Sequence, residues 1–170
     1  MKEYPLAAAP GPLSEHVCFG CHGIFVKPYV CDDCHSALCG RNCRTSPEHQ
    51  KECVYLRKIS PEIGESQKTE KIQSMPVQFN LLLQPLRLLL LRKEQPEKWK
   101  LLMDLESHME ARRKTQNWGF IERNIAPYLK TMLCDEMPDL CNDLIQQICG
   151  AIDVNSFGLI IFISATFLIR

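Results

Sequence analysis

The sequence predicts an α+β protein with a small cysteine-rich module near the amino terminus, a mainly α-helical region after it, and a short strand near the end. Seven of the ten cysteines lie between Cys18 and Cys53, more than an ordinary core uses. From residue 79 onward, apolar residues recur at helical spacing. Residues 157–169 are mostly apolar and include several β-formers.

Composition limits the classes of function. The 170 residues are enough for one domain or two small ones, and 20 basic residues balance 20 acidic ones. Because the formal net charge is zero, the chain has no overall electrostatic attraction for anionic partners, and we expect neither direct nucleic-acid binding nor membrane binding. No apolar run follows Lys2, so no secretory signal is predicted. An intracellular location, cytoplasmic and/or nuclear, keeps thiols reduced and favours metal binding over disulfides.

The chain divides into five predicted parts. They are an extended leader (1–13), a cysteine and histidine block (14–58), a polar linker or frayed helix (59–78), a helical region (79–154), and a terminal strand with an apolar tail (155–170). The apolar tail is shorter than the roughly 20 residues of a membrane span, so a buried strand is preferred. A membrane-associated adaptor held by this tail is the weaker alternative.

Four helical segments are predicted. The first is crowded with leucines between Leu81 and Leu91, and Pro85 is placed near its start, where a missing N–H costs nothing. Pro96 breaks this run, and a second helix is predicted over Glu97–Arg113.

The other two helical segments place apolar residues at every fourth position. The third carries Ile121, Ile125, Leu129 and Leu133. The fourth carries Leu140, Leu144, Ile148 and Ile152. Pro127 is a possible kink site in the third, and Pro138 precedes the fourth. The four segments together predict a small helical array with a shared core.

The cysteine and histidine block holds eight metal-ligand candidates in four spaced pairs. They are Cys18-x2-Cys21, Cys31-x2-Cys34, Cys39-x3-Cys43 and His49-x3-Cys53. A C-x2-C pair in a tight turn brings both sulfurs to one ion at about 2.3 Å. An x3 spacing places both ligands on one helix face, so the last two pairs are predicted on short helices. Eight ligands are what two tetrahedral zinc ions require.

The spacing leaves the pairing of these ligands open. Sequential pairing gives a four-cysteine site and a site of three cysteines and one histidine, and interleaved pairing gives the same two compositions from different pairs. Either way both sites are closed by protein ligands and are therefore structural. The block has too few apolar residues to fold alone, so the metal supplies the folding free energy, of order 10 kcal/mol per site.

A second pattern competes with zinc. Cys18 to His22 and Cys31 to His35 both match C-x-x-C-H, the attachment signature of c-type haem. Haem attachment of this kind needs an exported chain and leaves the other two ligand pairs unexplained. On the zinc interpretation His22 and His35 are not ligands and face solvent.

The ordered ligand series, ending in HQKEC, resembles a MYND-type zinc finger. This resemblance implies interleaved sites. One zinc would be held by Cys18, Cys21, Cys39 and Cys43, and the other by Cys31, Cys34, His49 and Cys53. MYND fingers dock proline-containing peptides, so a protein or peptide partner is implied. Many carry a Gln where this chain has Arg44, and a Trp before the histidine that is absent here.

The chain from LLLQPLRLLLL to QQICGAIDVNSF resembles the SMYD proteins, in which a MYND finger is inserted into a SET methyltransferase domain. The RTSPE segment before the ligand histidine is similar to the SmydA-type subgroup. The resemblance covers about residues 14–158. It implies that the helical region is a SET insert ending in a truncated SET strand, and that full-length relatives use S-adenosylmethionine to methylate lysine.

Most catalytic parts of that family have no counterpart in this sequence. It has no histidine after His108, no tyrosine after Tyr128 and no Gly-x-Gly loop, so no catalytic residue is predicted. Asn155 matches an asparagine that contacts the cofactor in relatives. We therefore expect a truncated, non-catalytic binding module whose terminal strand is an unpaired edge. The alternative is a protein-lysine methyltransferase completed by missing segments.

Overall fold

The computed structural model describes residues 5–8, 17–66, 77–157 and 160–162. Its strands are β1 (Pro5–Ala8), β2 (Tyr29–Val30), β3 (Ala37–Leu38), β4 (Ser156–Phe157) and β5 (Ile160–Phe162). Its helices are α1 (Arg41–Arg44), α2 (Pro47–Ser66), α3 (Val77–Glu94), α4 (Pro96–Met103), α5 (Met109–Arg112), α6 (Gln116–Asn124), α7 (Ala126–Leu133) and α8 (Asn142–Asn155). The fold is thus mostly helical with two small sheets. No helix within these ranges is both long and apolar enough to cross a membrane.

Helix α2 extends beyond the end predicted for the cysteine and histidine block. A linker or frayed helix was predicted from residue 59, whereas α2 continues to Ser66. Leu56 and Ile59 lie on one face of this helix and are almost completely buried. Because that face packs into the core, the helix continues through a stretch whose polar composition favours a linker. The rest of the predicted linker, residues 67–76, lies outside the described residues.

Helix α3 begins earlier than predicted. It starts at Val77, so Pro85 lies inside the helix instead of near its start. Proline has no N–H to donate to the carbonyl of Leu81. The helix persists because its leucines supply much of the core: Leu82, Leu83, Leu86, Leu88 and Leu89 are at most 1 % exposed. Tertiary burial therefore outweighs the local cost of the proline.

Two predicted helices are each divided in the structure. The helix predicted over Glu97–Arg113 is wrong in its continuity, because α4 ends at Met103 and α5 begins at Met109. His108 between them is left-handed, with φ 48° and ψ 39°, which a right-handed helix cannot contain. Pro127 does not kink a single helix but lies in the first turn of α7, where its missing N–H is tolerated.

One hydrophobic core joins the cysteine-rich part to the helices. It includes Cys18, Phe19, Phe25, Leu38, Leu56, Leu82, Leu86, Leu129, Met132, Ile145 and Ile148. The predicted face of the third segment is confirmed, since all four of its residues are at most 5 % exposed. Lys58 on α2 also donates to the Met132 carbonyl at 3.0 Å and to Asp135 at 2.8 Å. The helical array is therefore packed directly against the cysteine-rich part.

Helix α8 passes close to the turn before α5 at Gly150. A Cβ at Gly150 would lie 2.4 Å from the Ser107 carbonyl oxygen and 2.9 Å from Nη1 of Arg112. The charged side chain of Arg112 is also buried at this point. It donates to the Gln146 carbonyl at 2.9 Å and to Asp153 at 2.7 Å. The absence of a side chain at Gly150 thus permits this buried junction.

Replacing Gly150 with alanine should destabilise the protein by about 1–3 kcal/mol, because the Ser107 backbone must move. Gly119→Ala in α6 is the matched control. Its Cβ would meet only the flexible end of Arg123 at 3.0 Å, so the change should be between neutral and about 1 kcal/mol stabilising. Urea unfolding of both variants measures the difference. Equal free energies of unfolding would contradict the close approach.

The terminal segments form a three-stranded antiparallel sheet in the order β1-β5-β4. Pro5 pairs with Phe162 and Ala8 with Ile160, with a register irregularity between Pro5 and Ala7. On the other side, β5 pairs with β4. The expectation of an unpaired terminal strand is therefore wrong. The partner strand comes from the leader, about 150 residues away, and no local pattern predicts such a pairing.

Candidate metal centre

Both C-x2-C pairs lie in the same type of turn. In the first, the N–H of Cys18 donates to the Gly23 carbonyl at 2.8 Å, and the N–H of His22 donates back to the Cys18 carbonyl at 3.0 Å. In the second turn, the N–H of Cys31 donates to the Ser36 carbonyl at 3.0 Å, and the N–H of His35 donates to the Cys31 carbonyl at 2.9 Å. Two main-chain hydrogen bonds thus close each turn and aim both of its cysteines in one direction.

The two histidines explain the repeated C-x-x-C-H pattern. His22 and His35 both have φ 59°, the left-handed conformation that closes each turn. Histidine adopts this conformation more readily than most residues do. As predicted, both are exposed and neither belongs to a cluster of potential metal ligands. The pattern is therefore accounted for by turn geometry.

The remaining ligand candidates come from short elements after the second turn. Strand β3 leads directly to Cys39, and α1 carries Cys43. The prediction that these two share a helix is wrong, because α1 begins only at Arg41. His49 and Cys53 both lie on α2, as their spacing predicted.

The start of α2 positions His49. The Ser46 hydroxyl accepts a hydrogen bond from the His49 N–H at 3.2 Å, and Pro47 is the first helical residue. This is an N-cap followed by proline, a helix-start signal that is readable in the sequence. Sequence reasoning noted the RTSPE segment only as a point of resemblance and missed this physical role.

The eight side chains converge as two groups of four. One group is Cys18, Cys21, Cys39 and Cys43, and the other is Cys31, Cys34, His49 and Cys53. Within each group the ligand atoms all lie within 4.8 Å of one another. The grouping is therefore interleaved. The first ligand pair lies with the third, and the second ligand pair lies with the fourth.

The spacing of the ligand atoms fits a tetrahedral ion. Bonds of 2.3 Å to a central zinc place two sulfurs about 3.8 Å apart. In the first group, Cys39 Sγ lies 3.7 Å from Cys21 Sγ and 3.4 Å from Cys43 Sγ. In the second group, the Sγ atoms of Cys31 and Cys53 are 3.9 Å apart. A disulfide would need about 2.05 Å, and all ten cysteines are free.

The histidine completes the second group with similar spacing. Its Nε2 lies 3.4 Å from Cys31 Sγ and 3.9 Å from Cys34 Sγ. Bonds of about 2.0 and 2.3 Å to one zinc ion would place nitrogen and sulfur about 3.5 Å apart. Burial, aided by the positive charge of Arg44, lowers the pKa of His49. The neutral form, which a metal ligand requires, is therefore favoured.

The two groups differ in their surroundings. In the first, the N–H of Gly23 at 3.4 Å lowers the pKa of the exposed Cys21 to about 7, which favours a thiolate. In the second, burial raises the pKa of Cys34, whose sulfur lies 2.6 Å from the Ser36 hydroxyl. Ser36 is completely buried and was not recognised from the sequence.

Arg87 on α3 joins the first turn to the helices. It forms a bidentate pair with Glu52 on α2, with Nη2 2.8 Å from Oε2. The same Nη2 donates to the Phe19 carbonyl at 2.8 Å, and Nη1 lies 3.0 Å from His22 Nε2. Both charged side chains of the ion pair are at most 14 % exposed. No sequence spacing links these residues, so this junction was not predicted.

Asn155, the candidate cofactor residue, lies at the end of α8. Its Nδ2 donates to the Glu106 carbonyl at 2.9 Å and to the Ala151 carbonyl at 2.8 Å. These bonds tie the helix end to the loop before α5. The amide nitrogen is thus already used within the fold.

The three cysteines outside the two groups have different environments. Cys134 and Cys141 are exposed, whereas Cys149 is buried. Burial raises the pKa of Cys149 to about 12, so it remains a thiol at neutral pH. Iodoacetamide at pH 8 should therefore label Cys134 and Cys141 at least ~10-fold faster than Cys149. Mass spectrometry measures this ratio, and equal rates would contradict the burial.

Comparison with known proteins gives no relative. No protein-family model, no curated protein and no solved structure matches the chain. The fold and the site therefore define it only by class, as a small helical protein with two four-ligand clusters able to bind zinc.

Proposed function

We propose that residues 17–58 form a zinc finger with two structural zinc ions and that this finger is a protein-interaction module. The observation that carries the proposal is the convergence of eight side chains into two groups with tetrahedral spacing. Thiolate and imidazole donors suit zinc. Because each group supplies four protein ligands, neither ion keeps a position open for water, and the ions stabilise the fold instead of catalysing hydrolysis.

The finger is proposed to be of the MYND type. Support comes from the ligand order and from the interleaved grouping, which the MYND resemblance implies. The proposed partner is a protein segment or peptide, in the simplest case one that contains proline. The finger presents three exposed aliphatic side chains for such contacts, namely Ile24, Val26 and Val30, at 85 %, 96 % and 49 % exposure.

Elemental analysis of the purified chain tests the zinc sites. The expected content is two zinc ions per chain, matching the two ligand groups. A double Cys134→Ala, Cys141→Ala variant is the control and should keep the same content, because these two exposed cysteines belong to neither group. A content of zero or one in the unmodified chain would contradict the proposal.

The partner is tested separately with immobilised proline-containing peptides. A double Ile24→Ser, Val26→Ser variant should retain its zinc, because neither residue is a ligand, and should lose peptide binding. Binding that is unaffected by these changes would exclude this surface as the contact. Equal zinc content in both proteins ensures that any loss of binding is not a loss of folding.

The chain is proposed to be a non-catalytic module of the SET/MYND type, and the alternative is a SET-type lysine methyltransferase. Isothermal titration with S-adenosylmethionine discriminates between the two. We expect no binding, because the single matching residue, Asn155, donates from Nδ2 to two main-chain carbonyls. A micromolar dissociation constant would favour the enzyme.

A further inference from the structure

The two ligand groups differ in their exposure to solvent. In the four-cysteine group, Cys21 and Cys39 are exposed and Cys43 is half-buried. In the group with the histidine, Cys31, Cys34 and His49 are at most 2 % exposed. A solute can therefore reach two exposed cysteines of the first group directly, whereas the second group has no exposed member and only Cys53 is half-buried.

The two groups are also anchored differently. His49 and Cys53 lie on α2, whose following residues Leu56 and Ile59 are part of the core. Cys39 lies in the segment after β3, and Cys43 lies on α1, a four-residue helix with no buried residue. The second group is thus continuous with the helical core, while half of the first is carried by short surface elements.

The sulfurs of the first group are close enough for a disulfide to form after one of them is oxidised. Cys39 Sγ is close to two other sulfurs, Cys43 at 3.4 Å and Cys21 at 3.7 Å. Oxidation of one thiolate therefore leaves a second thiolate nearby to complete a disulfide. Exposure and thiolate character are the properties that make cysteines sensitive to peroxide.

From these differences we infer that the four-cysteine site is a redox-responsive site, which peroxide opens while the Cys31, Cys34, His49 and Cys53 site keeps its ion. This inference rests on the proposed binding of two zinc ions. The Cys39 thiolate attacks hydrogen peroxide and breaks its O–O bond, which gives a sulfenic acid and hydroxide. The thiolate of Cys43 or Cys21 then attacks the sulfenic sulfur, forming the S–S bond and releasing a second hydroxide.

The electrons and protons of this step balance. Two thiolates lose two electrons, and one peroxide accepts them with two protons to give two waters. The remaining two ligands no longer form a closed site, so the affinity for the ion falls. Reduction by a thiol such as dithiothreitol reverses the disulfide and restores the four ligands.

The test is a titration of the full zinc-loaded chain with hydrogen peroxide. Released zinc is measured with a colorimetric chelator, and oxidised cysteines are identified by differential alkylation and mass spectrometry. We expect half of the zinc to be released first, together with oxidation of Cys39 and of Cys21 or Cys43. Hydrogen exchange in α3, α6, α7 and α8 should be unchanged at that point, and dithiothreitol with added zinc should restore the initial content.

Two substitutions at equivalent turn positions provide a matched comparison. Cys21→Ser should retain one of the two ions with normal hydrogen exchange in the helices. Cys34→Ser should likewise lose one ion, but it should also increase hydrogen exchange in α2. Simultaneous release of all zinc, or earlier oxidation of Cys31 and Cys34, would overturn the inference while leaving the proposed zinc finger intact. A chain that holds no zinc before peroxide is added would instead overturn the proposed function.

Discussion

A Cys34→Ala variant is expected to lose one of the two proposed zinc ions and several kcal/mol of stability. Cys34 is completely buried within the group formed with Cys31, His49 and Cys53. A structural zinc site supplies of order 10 kcal/mol of folding free energy, and removing one of four ligands forfeits much of it. Because His49 and Cys53 lie on α2, the beginning of that helix should unfold as well. Zinc content and the helical circular-dichroism signal measure the two effects.

The matched control is Cys149→Ala, which removes the same atom from another buried cysteine. Cys149 is 7 % exposed and belongs to neither ligand group. Its replacement should cost about 1–3 kcal/mol, the ordinary range for a core substitution, with zinc content unchanged. If both variants lost the same stability and kept the same zinc content, Cys34 would be a core residue and not a ligand.

The second large effect is expected from Arg87→Met, at about 3–5 kcal/mol of destabilisation. The substitution leaves Glu52, whose side chain is 13 % exposed, without its partner, and removes the donor to the Phe19 carbonyl. An unpaired buried charge is costly, whereas replacing the whole pair is tolerated better. A double Arg87→Met, Glu52→Gln variant should therefore recover part of the loss in urea unfolding.

Arg92→Met is the control for Arg87→Met, since both arginines lie on α3 and form bidentate pairs with carboxylates. Arg92 donates to Asp139 at 2.9 and 3.3 Å, but the two side chains are 39 % and 63 % exposed. Solvent screens such a pair, so its loss should cost at most about 1 kcal/mol. Similar losses for Arg87→Met and Arg92→Met would show that Arg87 does not join the turn to the helices.

Local features of the chain were largely readable from its sequence. The C-x2-C spacings predict turns, and the i, i+4 spacing of His49 and Cys53 predicts a shared helix face, because these patterns depend on a few consecutive residues. The same holds for the face carrying Ile121, Ile125 and Leu129. The spacing of the ligands did not fix their pairing, since sequential and interleaved arrangements use the same pairs.

Features that depend on distant parts of the chain could not be read in this way. The left-handed His108 and the close approach at Gly150 depend on how the loop before α5 packs against α8. The Arg87–Glu52 pair joins two helices, and β5 finds its partner strand in the leader. Each of these contacts is decided by tertiary packing, which overrides local propensity.

The interleaved grouping has a consequence for a chain that has been cut once. Between Cys34 and Cys39 the chain crosses from the paired turns to the later ligands, so each group has two members on either side of this point. A protease nick in this stretch would leave the two fragments cross-linked through both ions, and they would separate only under a chelator. With sequential grouping, all four ligands of each ion would lie on one side of this stretch, so neither ion would link the two fragments.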